Sequence, residues 1–483
     1  MRHGAAILAL LLAGCTVGPN YQRPATAMPT SFAEAHGTES ATDADLAAWW
    51  RAFGDPELDK LASRAIAQNL DVETAAARIR EARAHERAAG AAALPQVDAQ
   101  ASASRQRLSE NAIPVPPGAG NSGSGGSFGL PGSEFDTFRI GFDASWEIDL
   151  FGKTRRSVEA AHARTGVAIW NRRDAQLIAA AEVADAYLKL RTLQQRIATA
   201  EDEVARQQRF VRLVGARVRG GLVTGEDLAQ QQSQLKTAEA AIPPLRAQAG
   251  AQIHALGVLT GDAPEALMAE LSSTAAVPQA PSVPAGLPSD LLRRRPDIRA
   301  AEQSLHAATA DIGVATADLY PKFSLTAAPA LVSTALASLL EWGSRSYSAS
   351  AALDWPIFNG GRTRANIEAT KAVQSQQLIA YRKTVLTALK DVEDALSSID
   401  NDRHEAASLE DARASAARAE QIARDRYRGG LVTYSDVLQA QAARITLESQ
   451  EVEARGSLDR DTVALFKALG GGWPELAQGG AEP

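Results

Sequence analysis

The chain is a duplication. Arg217-Val218-Arg219-Gly220-Gly221-Leu222-Val223-Thr224 recurs 209 positions later as Arg426-Tyr427-Arg428-Gly429-Gly430-Leu431-Val432-Thr433. At that offset Lys153-Thr154-Arg155 matches Arg362-Thr363-Arg364, Glu159-Ala160 matches Glu368-Ala369, Asp227 matches Asp436, and Gln230 and Gln232 match Gln439 and Gln441. No insertion separates these markers, as a rigid helix requires. Upstream the offset becomes 226, with Asp71-Val72 against Asp297-Ile298 and Leu94-Pro95 against Tyr320-Pro321. The 17 extra residues of the first half fall between Pro95 and Lys153, where the Pro/Gly/Ser-rich stretch 114–131 reads as a surface loop. Its cluster Gly123-Ser124-Gly125-Gly126 has no following Gly-Lys-Ser/Thr, so the frame of a phosphate-binding loop is missing. The fold must therefore be two copies of one unit: a helix, a proline, two strands joined by a loop, a very long helix, a Gly-Gly turn and a returning helix.

The long helices follow from what the sequence omits. Lys153 to Arg219 contains no proline and only Gly166 and Gly215; Arg362 to Arg428 contains neither proline nor glycine. Each 67-residue span predicts a helix of roughly 100 Å at 1.5 Å per residue. Val183, Ala186, Leu190, Leu193, Ile197, Ala200 and Val204 alternate spacings of three and four, and Val211, Val214 and Val218 resume the register, which is a coiled-coil seam. The second copy carries a weaker, Ala-rich seam from Ala406 to Ala423. Aromatics at only 5% fit closely packed long helices better than a large globular core. Gly220-Gly221 and Gly429-Gly430 stand where a helix must end and reverse. Glu226-Asp227 and Ser435-Asp436 then open the next helix, with acid near its positive end. Pro243-Pro244 predicts a break or kink in the first returning helix, absent from the second, where Val452-Glu453 stand.

Period-two segments precede the long helices. In Phe138 to Leu150, Phe138, Ile140, Phe142, Ala144, Trp146, Ile148 and Leu150 share one face. Tyr347, Ala349, Ala351, Leu353, Trp355 and Ile357 do the same within Ser346 to Phe358. Val97, Ala99, Ala101 and Ala103, then Phe323, Leu325 and Ala327, alternate after each proline. Such strands fit a transmembrane β-barrel, and equally a sheet packed on a helix layer. Four strands cannot close a barrel, because about eight is the smallest known, so copies must share one. Three chains would supply twelve strands; two or four chains also fit.

The N-terminus reads as an address. Arg2 and His3 precede the apolar run Ala5 to Ala13, too short for a transmembrane helix, which ends in Leu12-Ala13-Gly14-Cys15. Cys15 is the one cysteine, so no intrachain disulfide forms. The run resembles a bacterial lipobox in which Cys15 becomes the lipidated first residue; a free cysteine ending an ordinary signal peptide is the other reading. By the same resemblance, Thr16 rather than Asp after the cysteine favours the outer membrane. A net charge of -7 argues against nucleic acid as a partner. The seven histidines are scattered without metal-ligand spacing, and no catalytic constellation stands out, so neither an enzyme, a metal site nor a cofactor is expected.

Several motifs together resemble one family. Cys15-Thr16-Val17-Gly18-Pro19-Asn20-Tyr21-Gln22-Arg23-Pro24, Trp49-Trp50 with Phe53-Gly54-Asp55-Pro56, Leu292-Arg293-Arg294-Arg295-Pro296-Asp297-Ile298 and the two Gly-Gly-Leu-Val-Thr turns are similar to TolC-type outer-membrane efflux lipoproteins of the NodT branch. The resemblance implies a mostly α fold with β: a homotrimer with a shared twelve-stranded outer-membrane β-barrel and a trimeric α-barrel of coiled-coil helices crossing the periplasm. It implies a signal peptide at 1–14, a lipidated arm and equatorial segment at 15–60, repeat 1 at 61–261, a Pro-rich linker at 262–288, repeat 2 at 289–470 and a tail at 471–483. The tips Gly220, Gly221, Leu222, Val223, Thr224 and Gly429, Gly430, Leu431, Val432, Thr433 would dock a periplasmic adaptor that serves an inner-membrane RND-type pump. Tyr427 and Arg428 fall where the family's gating pair sits; Arg219, Asp227 and Asp436 fall at the same tips, as gate or lumen charges. Gln439 stands where some relatives have an acid. The expected function is a passive duct for small molecules; a lipid-anchored periplasmic coiled-coil scaffold is the alternative, and it would lack barrel strands.

Overall fold

The computed structural model describes residues 16–35, 42–107, 109, 134–283 and 285–474. Cys15, the signal segment and the 114–131 loop lie outside them. In chain order the helices are α1 (Asp43–Ala47), α2 (Pro56–Gln68), α3 (Leu70–Ala91), α4 (Lys153–Arg219), α5 (Gly225–Leu259), α6 (Met268–Leu271), α7 (Leu291–Arg294), α8 (Pro296–Ala317), α9 (Arg362–Arg428) and α10 (Tyr434–Ala468). The strands are β1 (Gln96–Arg107), β2 (Glu134–Ile148), β3 (Lys322–Ala327), β4 (Ala330–Ser333), β5 (Arg345–Ser346) and β6 (Ala349–Asp354). The duplication holds to the residue: α4 and α9 both have 67 residues, α5 and α10 both 35, α3 and α8 both 22. The chain forms two compact units whose boundaries fall inside α3, α4, α8 and α9.

The first unit (1–22, 82–165 and 305–377) holds one antiparallel sheet. β1 pairs with β2 from Gln96↔Ser145 to Arg107↔Glu134. The other edge of β2 pairs with β3 and then β4. Those two pair in turn with β6 and β5. Ala328-Pro329 and Tyr347-Ser348 interrupt the ladders without ending them, since Ala328 and Ser348 exchange backbone bonds of 2.8 and 3.3 Å. The sheet thus has four ribbons, β1, β2, β3–β4 and β6–β5. Gly141 breaks the polar row of β2 for a steric reason: a Cβ there would lie 2.5 Å from Ala330 Cβ, where the chain crosses Pro329. The strand expected from Ser346 to Phe358 pairs only as β5 and β6. The ladder ends at Asp354 because Pro356 has no N–H to donate.

Every residue of β1 is exposed, so this sheet is not the helix-covered kind. Val97, Phe142, Ile140, Trp146, Leu325 and Leu353 stand exposed on one face. The opposite face carries Gln96, Asp98, Gln100, Ser102, Arg139 and Asp143, with Arg139 and Asp143 3.1 Å apart. Among the described residues the outer edges of β1 and of β6 have no strand partner.

The second unit (23–81, 166–304 and 378–483) carries the apolar core. Trp49 stacks on Phe466 at 5.0 Å between ring centroids, and the Arg173 guanidinium lies 4.2 Å from the Trp170 ring and 4.9 Å from Trp473. Asp55 starts α2 by accepting from the Glu57 and Leu58 amides, with Pro56 at the first helical position, and its other oxygen accepts from Tyr187 Oη at 2.7 Å. The Arg293-Arg294-Arg295 run is structural. The first two bind Asp43, while Arg295 donates to Asp297, Asp391 and the Ala468 carbonyl. Of the break or kink expected at Pro243-Pro244, the break does not occur. Helix α5 runs through both, forgoing only the bonds their missing N–H groups would make to the Glu239 and Ala240 carbonyls.

Candidate functional site: the paired helical tips

Both turns are the same object. Leu222 N–H donates to the Arg217 carbonyl and Leu431 N–H to that of Arg426, each at 2.9 Å. Gly221 and Gly430, at φ 71° and 75°, supply the left-handed residue that this helix stop requires. Thr224 and Thr433 then cap α5 and α10, and Asp227 and Asp436 complete a capping box with each. The hydrogen bonds from Thr433 hold the Asp436 carboxyl below the usual range. Leu222 and Leu431 project from the two turns at 75% and 77% exposure.

Inward of the turns lies a small separate core of Val214, Tyr434 and Val437, flanked by Phe210, Val218, Leu228 and Leu438. Tyr427 belongs to its edge: its ring is 5.3 Å from that of Tyr434 and 5.0 Å from the Arg217 guanidinium. Burial pushes the Tyr434 phenol up. Arg428 reaches Asp425 on its own helix at 3.0 Å, in a pair more than half exposed. Arg219 is exposed at the last turn of α4. The structure therefore brings Tyr427 against α4, leaves Arg428 and Arg219 at the surface, and makes Asp227 and Asp436 caps.

A second feature escapes sequence reasoning. Between the main core and the tip core the four helices bury charge. Glu203 Oε2 accepts from Arg444 at 2.6 Å and Arg206 at 2.9 Å, and Oε1 from Gln207 at 2.7 Å and Gln441 at 2.9 Å. Arg444 also donates to Glu420 at 2.5 Å and to Glu448. Gln231 donates to Gln207. Burial by itself raises Glu203, but Arg206 and Arg444 outweigh it and hold its carboxyl below the usual range. Burial likewise lowers Arg444, and Glu420 and Glu203 more than reverse this. A 390 Å³ cavity opens beside the layer, between α4, α5 and α10. The one sequence trace is Gln207, which holds the seam position seven residues from both Ala200 and Val214.

Among the described residues no three His, Cys, Asp or Glu side chains could hold a metal ion, and no helix is long and apolar enough to cross a membrane. The family model for outer membrane efflux proteins matches residues 61–262 and 287–471, one segment per repeat. The chain belongs to the outer membrane efflux protein family. Members of that family are outer-membrane efflux channels and not enzymes, and this chain is such a channel. Among its relatives, the pyoverdine export outer membrane protein OpmQ of Pseudomonas aeruginosa is 34% identical over 471 residues, covering 97% of this chain and 96% of that one. Nodulation protein T of Rhizobium leguminosarum bv. viciae is 31% identical over 483 residues, covering 99% and 95%. The solved outer-membrane channel OprN is 31% identical, with a TM-score of 0.85 over 95% of this efflux protein and 100% of OprN.

Proposed function

We propose that three copies of this chain build one passive conduit, a twelve-stranded barrel in the outer membrane continued by a twelve-helix barrel in the periplasm. The observation that carries this reading is the four-ribbon sheet with an exposed apolar face and, among the described residues, two edges without a strand partner. Exposed strand edges demand partners, and closure on further copies removes them. Two copies would reach eight strands; three is the number that family membership implies. The apolar row from Phe138 to Ile148 spans about 33 Å along the strand at ~3.3 Å per residue, or about 25 Å once tilted by roughly 40°, the height of an outer-membrane apolar band. Arg105 with Glu134 and Asp136 ends the band on one side.

Cys15 carries the lipid anchor in this reading. Leu222 and Leu431 are the apolar contacts for a periplasmic adaptor, which couples the conduit to an inner-membrane RND-type pump. Exposed Arg219 and Arg428, with Tyr427 behind them and Asp227 and Asp436 at the caps, form the resting gate. Relatives are named for pyoverdine export, cation efflux and solvent efflux, so the pump and not the duct selects the cargo. The test is native mass and single-channel conductance in planar bilayers. A heat-modifiable, conducting trimer is expected, and Arg428→Ala raises its resting conductance. A water-extractable, non-conducting protein would favour the scaffold, and unchanged conductance in Arg428→Ala would remove that residue from the gate.

A further inference from the structure

The cavity beside the buried charge layer is short of hydrogen-bond donors. It measures 390 Å³ and opens between α4, α5 and α10. A cavity of about 150 Å³ already takes benzene, so a body of about two rings fits here. Ala238, Leu245, Leu438, Ile445 and Val452 supply apolar wall. Gln441, 1% exposed, lines the polar side; its Nε2 donates to Glu203 and its Oε1 has no partner. Turning the amide over would set that oxygen against the carboxylate, so the acceptor stays unmet. Thr237 and Thr446 also line the cavity. Their hydroxyl protons go to the Ser233 and Ala442 carbonyls, each at 3.0 Å, which leaves only lone pairs to offer. Pro243 and Pro244 add to the shortage, because the Glu239 and Ala240 carbonyls, between the lining residues Ala238 and Ala241, lose their helical donors.

Charge is not what the cavity lacks. Each ionised side chain on its wall is already paired: Glu203 with Arg444 and Arg206, Glu448 with Arg444, and Arg196 with Glu453. A charged ligand would enter without a counter-ion. A neutral hydroxyl on an apolar body meets both walls, giving its proton to an acceptor that is otherwise buried unmet.

The duplication supplies an internal control. At the 209-residue offset Glu203 corresponds to Ala412, Gln207 to Ala416 and Arg444 to Leu235. The helices repeat residue for residue, yet the polar side of the cavity occurs once. It is not demanded by the packing of the repeated unit.

We propose that this cavity is a binding site for a neutral hydroxyl compound with an apolar body, a phenol being the simplest, with Gln441 accepting from the hydroxyl and Ala238 leaving room for the body. The site is formed within one chain and includes none of the tip residues.

The experiment irradiates the full-length protein in lipid nanodiscs with a trifluoromethyl-diazirinyl phenol and maps the label by peptide mass spectrometry. Its methyl ether, which has no donor, and the corresponding benzylammonium are run in parallel. Label that reaches the exposed sheet face from lipid reports how much of each probe is present. The phenol is expected to label residues 234–245 and 438–452, and excess unlabelled naphthol to compete it away. The ether and the ammonium should label there about tenfold less, the worth of one hydrogen bond to a buried acceptor. Gln441→Met should bring the phenol down to the level of the ether and leave the ether unchanged. Ala238→Phe, which fills the cavity, should remove label from both. No label in these segments of the wild-type protein, or equal labelling by phenol and ether, would overturn the proposal without recourse to either variant. Stronger labelling by the ammonium would overturn it in favour of a cation site.

Discussion

Trp146 Nε1 donates to the carbonyl of Ala93 at 2.9 Å, and this bond is made twice. Its counterpart 209 positions on, Trp355, donates to Leu319 at 3.1 Å, the carbonyl 226 positions beyond Ala93. Each ties the last part of a sheet ribbon to the turn that follows the helix leading into the sheet. Trp146→Phe and Trp355→Phe keep the ring and delete the donor. Each is expected to cost about 1 kcal/mol and by a similar amount. Thermal unfolding of the purified protein, read separately for the two variants, checks this. A loss confined to one of them would show that the two bonds are not equivalent.

The buried charge layer makes a second prediction. Arg444→Met leaves Glu203 and Glu420 buried without their cation, and about 3–5 kcal/mol should be lost. A double variant, Arg444→Met with Glu203→Gln, is expected to recover much of that. The pH dependence follows from the lowered carboxyl of Glu203. Its contribution is complete above the ordinary glutamate range and fades as pH falls through the folded value. Denaturant midpoints between pH 3 and pH 7 measure it.

Asp459 behaves in the opposite sense. Burial pushes it up to about 7. The folded state then holds its proton more tightly than the unfolded chain, so stability falls as pH rises from about 4 through 7. Asp459→Asn keeps an acceptor for the Ala280 amide and removes the ionisation. It should stabilise the protein by a few kcal/mol at pH 8 and very little at pH 4. Equal stability of the two proteins at pH 8 would contradict this.

At the tips, Gly430→Ala puts a Cβ on a residue at φ 75°, and about 1 kcal/mol of local stability should go. Thr433→Ala removes the cap of α10 at a similar cost. Hydrogen exchange of residues 434–438 should rise in both, with exchange in α8 unaffected. The lowered carboxyl of Asp436 adds a pH signature: its support for the cap is present above the ordinary aspartate range and is lost as pH falls below it.

The bare sheet face sets a fifth test. Phe142→Arg places a cation on the apolar face and should cost ~2–4 kcal/mol of folding into lipid vesicles. Gln100→Arg, on the opposite face, should be nearly silent. A larger loss in Gln100→Arg would show that the faces are reversed, and similar losses in both would argue against lipid on one face alone.

How much of this was legible varies with the range of the interaction. The helix limits, the two turns and the alternation of β2 are local or periodic, so one sequence carries them. The stop at Pro356 and the continuation through Pro243-Pro244 show the same residue type with two outcomes. At the end of a strand nothing replaces the missing donor. Within a 35-residue helix the neighbouring turns hold the backbone in place. The tip aspartates were visible as first-turn acids, and their capping geometry follows from a three-residue spacing.

The amino-acid order alone determined a twofold repeat, helices of fixed length and strands with one apolar face, because exact spacing, proline placement and period are written along the chain. Only the tertiary structure decided that Arg444 meets Glu203, that Arg156 binds Val17, Gly18 and Asn20, and that the apolar face is left bare. Those outcomes join residues far apart in sequence. Their energies depend on desolvation and close approach, which no local pattern encodes.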